Sequence, residues 1–501
     1  MSSEYTWKGT VAATAIVSVY PDTSGNFWGD GVADDVEIQA AIDYVNALGG
    51  GSVALMTGTF WVNVTIYLRG KVGLVGQGVS ATQLRAIVGL EANILEWSPI
   101  VNEYFAYVAN MDIHGDASGT VGHGIYTTDN DGGEANDFWA DHVWVWYCAQ
   151  DGWNFEYNWG YKITNCLSEY NEGYGMVFSG TGHQNTVTNT FIAYSEGLYG
   201  LFLNSYDTVI HGCTIFGNMQ HGIYVQRSDN ILDSNKIIGN SASAANTYHG
   251  IYIDSSAHST IVSNNNIEGG ALQNNGIEAL SDGNIIQGNQ IFGNVNGVRL
   301  FTAEDNIIVG NRMGSNSGHD IRIHNASALN NAIGRNKLQS ANKILDVGTG
   351  TQFETIPLYI ASYNVTDVSE SEDGLVVDEA GEWVSFVGQL PLHVQQVVMF
   401  EIWAVGLAAP GAGNQMCLTI EIEGGADDEP KTQHDTGALA GQLNTTENTA
   451  VNDIIHWVCT NANALALLGG DSVKCACRYN AAVDSDIATN AAFRRVLAHI
   501  V

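Results

Sequence analysis

A chain of 501 residues, 45% apolar and 14% charged, has material for a large core and too much apolar content for general disorder. No stretch reaches the roughly 18–20 apolar residues of a membrane-spanning helix, and 57 glycines against 6 prolines favour many tight turns over proline-rich linkers. Fifty-three acidic residues face 18 Lys and Arg, and the resulting charge of −35 repels nucleic acid phosphates and anionic membranes, so neither is an expected partner.

In chain order, Met1–Lys8 carries no apolar signal core, which predicts an extracellular or virion-associated protein exported without a classical signal peptide. Asp34 precedes Glu37 at capping-box spacing, ahead of Ile38, Ala41, Ile42 and Val45, so a short helix is predicted, ended by Gly49-Gly50-Gly51. Short strands follow at Ser52–Leu55, Thr59–Val64 and Val72–Val75.

From about residue 95 to 345 the chain repeats itself. A glycine precedes each alternating apolar run: Gly124, Gly152, Gly175, Gly200, Gly222, Gly250, Gly276 and Gly297, with Asp320 in the next slot and spacings of 21 to 28 residues. A second unit, Asn230-Ile-Leu-Asp-Ser-Asn-Lys-Ile-Ile-Gly-Asn240, recurs at 284–294 and 306–316. Short strands joined by Asn/Gly turns cannot bury their apolar faces alone, and the connections are too short for βαβ crossover helices. Stacked coil on coil they form parallel sheets around one core, with asparagines hydrogen-bonding from coil to coil. A parallel β-helix is predicted.

The segment 30–43 (Asp-Gly-Val-Ala-Asp-Asp-Val-Glu-Ile-Gln-Ala-Ala-Ile-Asp), followed by 49–60, resembles the N-terminal cap of the pectate-lyase-like superfamily, and the Asn-x-Ile…Gly-Asn and His-Gly-Ile repeats resemble its right-handed coils. The resemblance spans residues 20–345. It implies the fold and leaves the activity open among polygalacturonases, pectate and alginate lyases, uronate epimerases and trimeric phage tailspikes. Residues 351–501 break the repeat into β-like runs such as Trp383–Val387 and Val397–Val405, which suit an antiparallel sandwich or jelly roll. Arg478–Val501 loosely resembles the C-terminal domains of viral fibres, so a trimerisation unit is expected, with a carbohydrate-binding module as the alternative. The expected organisation is therefore a cap with first coils at 1–94, a β-helix at 95–350 and a C-terminal domain at 351–501, assembled as a homotrimer. The seven cysteines lack zinc-site spacing, and buried free thiols are expected.

The outward residues of the strand after each repeat glycine give one surface row. They include Glu156, Tyr224, Gln226, Tyr252, Asp254, Glu278, Arg299, Arg322 and His324. Aromatics, carboxylates and arginines on one wall have the make-up of a glycan-binding groove. Asp254 and Glu278 lie on neighbouring strands about 4.8 Å apart, offset by two residues, about 6.6 Å, so their carboxyls span the separations of retaining and inverting glycosidases. They are the predicted catalytic pair, one held protonated as general acid. Tyr224, Tyr252, Gln226, Arg227, Arg299, Arg322 and the more distant Glu156 are the predicted polysaccharide contacts.

A lyase or uronate epimerase would instead draw on Arg299, Arg322, Tyr252, Tyr224, Arg227 and His324, leaving the two acids as a possible calcium site although no cofactor is otherwise expected. A glycan-binding fibre without catalysis is the third reading. Hydrolysis by the acid pair is the leading expectation, partly because the negative field disfavours an anionic substrate. His123, His221, His249 and His319, each beside a repeat glycine or its Asp320 equivalent, are expected to be turn residues. The acidic loop 129–137 lacks an EF-hand pattern and reads as a solvated loop. The cluster Trp139, Trp144, Trp146, Trp153 and Trp159 divides between core packing and exposed sugar platforms.

Overall fold

The computed structural model describes residues 13–352 apart from residues 20, 98–103, 117–118, 120, 129–134, 157, 181 and 271; beyond 352 it describes the backbone of strands alone. The extreme N-terminus, most of the acidic loop, and the side chains of Cys417, Cys459, Cys475 and Cys477 lie outside the described residues.

The predicted helix runs Asp35–Ala47 and buries Ile38, Ala41, Ile42 and Val45, the positions its 3.6-residue periodicity selects. The capping box does not form. Asp34 makes no side-chain cap; its carboxylate accepts the N–H groups of Gly31 and Trp61 at 2.9 and 2.8 Å, and Asp35 accepts that of Asn63 at 2.8 Å. Both acids are used to tie the helix to the strand Gly58–Val62, where otherwise unpaired backbone donors need partners.

After the cap, each coil contributes one strand to a front sheet and, in most coils, two to a back sheet. Twelve parallel front strands run from Ile66–Tyr67 to Ile344–Asp346 among the described residues. Their pairing is in register: Ile223, Tyr224 and Val225 lie over Ile251, Tyr252 and Ile253, which lie over Ile277, Glu278 and Ala279. Alternation puts Ile223, Val225, Ile251, Ile253, Ile277 and Ala279 inside, fully buried. Back strands such as Ile231–Asp233 and Lys236–Ile238 supply Leu232 and Ile237 to the same core.

Two features hold the coils at one pitch. The repeat glycines form a column in which a Cβ on Gly175, Gly200, Gly222, Gly250 or Gly276 would lie 2.6–2.8 Å from the carbonyl oxygen of the next glycine, so no side chain fits. Asparagine ladders run beside the core. The Asn235 backbone and side-chain amides both donate to Asn265 Oδ1 (2.8 and 3.0 Å), Asn265 repeats this to Asn289, and Asn289 to Asn311. Each fully desolvated amide is thereby satisfied by the coil above or below. Cys148, Cys166 and Cys213 are buried free thiols, and burial pushes the latter two up to about 12.

The chain divides into two compact units, the second comprising 332–338 and 352–501. In that second unit the strands pair antiparallel: Gln352–Asn364 with Trp383–Gln389 and Ala491–Ile500, and Val397–Gly406 with Ile454–Cys459. No helix among the described residues is long and apolar enough to cross a membrane.

Candidate functional site

The front strands Ile223–Val225, Ile251–Ile253, Asn275–Ala279, Asn296–Leu300 and Ile321–Ile323 are neighbours in the sheet. In-register stacking puts Tyr224, Tyr252, Glu278, Arg299 and Arg322 in a single outward row, one per coil. Asp254 stands two residues beyond Tyr252, at the edge of the same row.

Glu278 faces outward and is nevertheless buried. Its carboxylate accepts Nε2 of His249 at 2.9 Å and Nη1 of Arg299 at 3.0 Å, with a further hydrogen bond from the Asn275 side-chain amide. Burial alone would raise this carboxyl; the His249 hydrogen bond and charge and the Arg299 charge outweigh it and hold it below the ordinary glutamate range. Asp254, half-exposed, is pushed up by partial burial and pulled further down by the Ser256 backbone N–H (3.1 Å), the Tyr224 hydroxyl (2.9 Å) and the Ser256 and Ser255 hydroxyls. Both acids are therefore ionised. The expectation of one protonated member of the pair runs against both of these shifts. The Glu278 oxygens are engaged by His249 and Arg299, and no cluster of three or more metal-type ligands occurs among the described residues.

The tyrosines are shifted the other way. Burial and the Asp254 and Glu278 charges push Tyr252 up to about 12, and burial with the Asp254 hydrogen bond raises Tyr224. Both stay protonated and can donate.

His221 and His249 stand in the turns beside Gly222 and Gly250, as expected. They are buried against the row itself and are more than turn residues. The His221 ring stacks on Tyr252 at 4.9 Å, and His249 stacks on Tyr252 at 5.6 Å. The backbone N–H of His249 donates to His221 Nδ1 (3.0 Å), and burial beside His249 lowers His221 to about 3, so it stays neutral. The signal that marked them was the His-Gly-x-Tyr spacing repeated at 221–224 and 249–252, which puts each ring beside the tyrosine three residues on.

Among the remaining predicted contacts, Arg299 and Arg322 are adjacent in register, and the Nε of each is buried without a hydrogen-bond partner among the described residues. His324 stacks on Phe301 at 4.7 Å beside them. Gln226 and Arg227 leave the row at the turn: Gln226 bridges coils through its backbone, and the Arg227 guanidinium lies over the Tyr206 ring at 5.7 Å. Glu156 is four strands away from the Tyr252 strand, roughly 19 Å, where it accepts the Tyr126 hydroxyl at 3.0 Å. Trp153 is core, whereas Trp159 is exposed on the outer wall.

Residues 197–355 match the family described as the right handed beta helix region. The chain carries a right-handed parallel β-helix. A mannuronan C5-epimerase of Pseudomonas putida is 24% identical over 237 residues, 45% of this chain and 42% of that protein. The mannuronan C5-epimerase AlgE5 of Azotobacter vinelandii is 26% identical over 266 residues, 50% of this chain and 24% of that protein. The chain thus spans less than half the length of either curated relative. Among solved structures, the A-module of the A. vinelandii mannuronan C-5 epimerase AlgE4 superposes with a TM-score of 0.58 at 20% identity, covering 65% of this chain and 97% of that one. At that identity the likeness speaks for the β-helix fold.

Proposed function

We propose that the front row of the β-helix modifies a uronate-bearing polysaccharide by removing the proton beside the sugar carboxylate, as an epimerase or a lyase does, in preference to hydrolysing the glycosidic bond. The observation that carries this is the charge pattern: two ionised acids, two protonated tyrosines, and two adjacent arginines with unpartnered Nε atoms. Hydrolysis by the acid pair needs a carboxylic acid that neither residue supplies. The names of the curated relatives, mannuronan C5-epimerases, support the same substrate class.

In this reading Arg299 and Arg322 face the substrate carboxylate and offset the −35 charge locally. Asp254 takes the proton as the C5–H bond breaks, and the electron pair moves into the carboxylate as an enolate-like anion. The Tyr252 hydroxyl returns a proton to C5 from the opposite side to give the epimer; expulsion of the 4-O substituent instead leaves a C4–C5 double bond. Glu278 acts through Arg299 and His249 as a positioning residue. The antiparallel strands of 352–501 are read as a sandwich that trimerises the chain or holds glycan, which sedimentation of the full chain tests.

Polymannuronate in heavy water is the discriminating substrate. Deuterium at C5, for an epimerase, or new ultraviolet absorbance from a C4–C5 double bond, for a lyase, is expected; new reducing ends with neither signal overturn the proposal. Asp254→Asn and Tyr252→Phe should each lower turnover by about 100-fold or more, the size of a lost acid–base contribution.

A further inference from the structure

The back sheet carries a second aromatic surface, on the early coils and away from the front row. Cross-strand register lines up Trp61, Arg85, His114 and Trp146, one per coil. The Arg85 guanidinium lies over the Trp61 ring at 5.6 Å, and Trp61, Arg85, Val88, His114, Asp116 and Tyr147 line a cleft of about 320 Å³. From the cleft a ladder of rings continues along the corner of the coils. His114 meets Tyr147 at 5.2 Å, Tyr147 stacks on Tyr170 at 5.4 Å and 8°, and Tyr170 on Tyr194 at 4.9 Å and 6°.

The three tyrosines occupy a backbone position that suits them poorly. Their φ values are 52°, 53° and 49°, in the left-handed region where bulky residues are outliers. Later coils put Gly217, Gly239 and Gly293 at the same position, with φ of 65°, 58° and 68°. Glycine would close the corner without strain, so packing of the coil does not call for tyrosine there.

We infer that this surface, the Trp61–Arg85–Tyr147 cleft with the Tyr147–Tyr170–Tyr194 ladder, binds a stretch of an acidic polysaccharide chain remote from the reacting sugar. The cleft has the size of a small-molecule site, and flat rings with a few polar groups are what a sugar ring requires. Arg85, exposed in this lining in a chain with only 18 Lys and Arg against 53 acids, offers an anionic sugar a cationic contact. The Asp116 carboxylate in the same lining is anchored by the Gly89 N–H at 2.6 Å. The choice of an acidic glycan rests on the proposed function; the binding surface does not.

The test uses the full chain with long polymannuronate, a short mannuronate oligomer and neutral dextran, comparing the wild type with Trp61→Ala, Arg85→Gln and the double variant Tyr147→Gly, Tyr170→Gly. All three should bind long polymannuronate at least fivefold more weakly in affinity electrophoresis, while turnover of the short oligomer is unchanged. The glycine variant should also keep the wild-type melting temperature, which separates lost binding from lost folding. Unaltered polymer binding overturns the inference, as does a fall in sedimenting mass of the variants, which would assign the surface to a second copy of the chain. Preferential loss of dextran binding overturns the acidic substrate class. If polymannuronate is bound but never turned over, the front-row reading fails on its own and the binding comparison still decides this one.

Discussion

Glu278 links three coils through its contacts with Asn275, His249 and Arg299, so its charge bears on stability as well as on chemistry. Its carboxyl is held below the ordinary value of 4.5, so the stabilisation it gives is fully present above the unfolded value and is lost as pH falls through the folded one. The wild-type melting temperature should drop as pH falls below the ordinary value of 4.5, whereas Glu278→Gln should show a flatter profile and converge with it in acid. At neutral pH the same variant, which leaves Arg299 and His249 facing a neutral amide, should cost about 3 kcal/mol in urea unfolding. The outward row was legible because period-two alternation selects Tyr252, Asp254 and Glu278 from residue spacing alone. Ionisation was not legible, because it depends on hydrogen bonds from His249 and Ser256 across turns whose geometry the sequence leaves open. Burial of Glu278 escaped for the same reason: alternation says which way a side chain points and nothing about what closes over it.

The coil was the easiest element to read, since glycine spacing and the Asn-x-Ile units report backbone constraints directly. Those constraints carry measurable energy. Asn265→Ala removes one rung of the ladder between Asn235 and Asn289 and strands buried amide groups on both sides, for an expected loss of about 1–3 kcal/mol in chemical denaturation. An equivalent change at Asn266, whose side-chain amide bonds Glu268 at the exposed surface, should cost well under that. Cys213 should resist thiol reagents until the coil opens, because its thiol is buried and raised to about 12. The capping box misled because Asp34 has a competing use: pairing with the strand Gly58–Val62 satisfies donors that its own helix would have claimed.

Across the whole molecule, a charge of −35 surrounds a row whose arginines are proposed to hold an anion. At low salt the long-range field should repel an anionic polymer before the local arginines can engage it. Raising ionic strength from about 0.01 M to 0.1 M shortens the screening length from roughly 30 Å to 10 Å, which removes the distant repulsion more than the contact attraction. The value of kcat/KM on polymannuronate should therefore rise over that range and fall again at higher salt, whereas a protein whose own net charge attracts the polymer would decline throughout. Composition disclosed the repulsion; where it is locally reversed became visible only when Arg299 and Arg322 were found on adjacent strands.

The glycine column acts as a ruler. Each member leaves room for the carbonyl of its successor, so a whole turn can be duplicated or excised without remaking its neighbours provided the inserted turn brings its own glycine at that slot. The glycines give way to Asp320, whose carboxylate accepts hydrogen bonds from Ser340 and Asn316, and one more front strand, Ile344–Asp346, stacks beyond it. The reach of any polymer laid along the middle of the spiral is thus adjustable in whole turns, by adding or removing members of a single column of missing side chains.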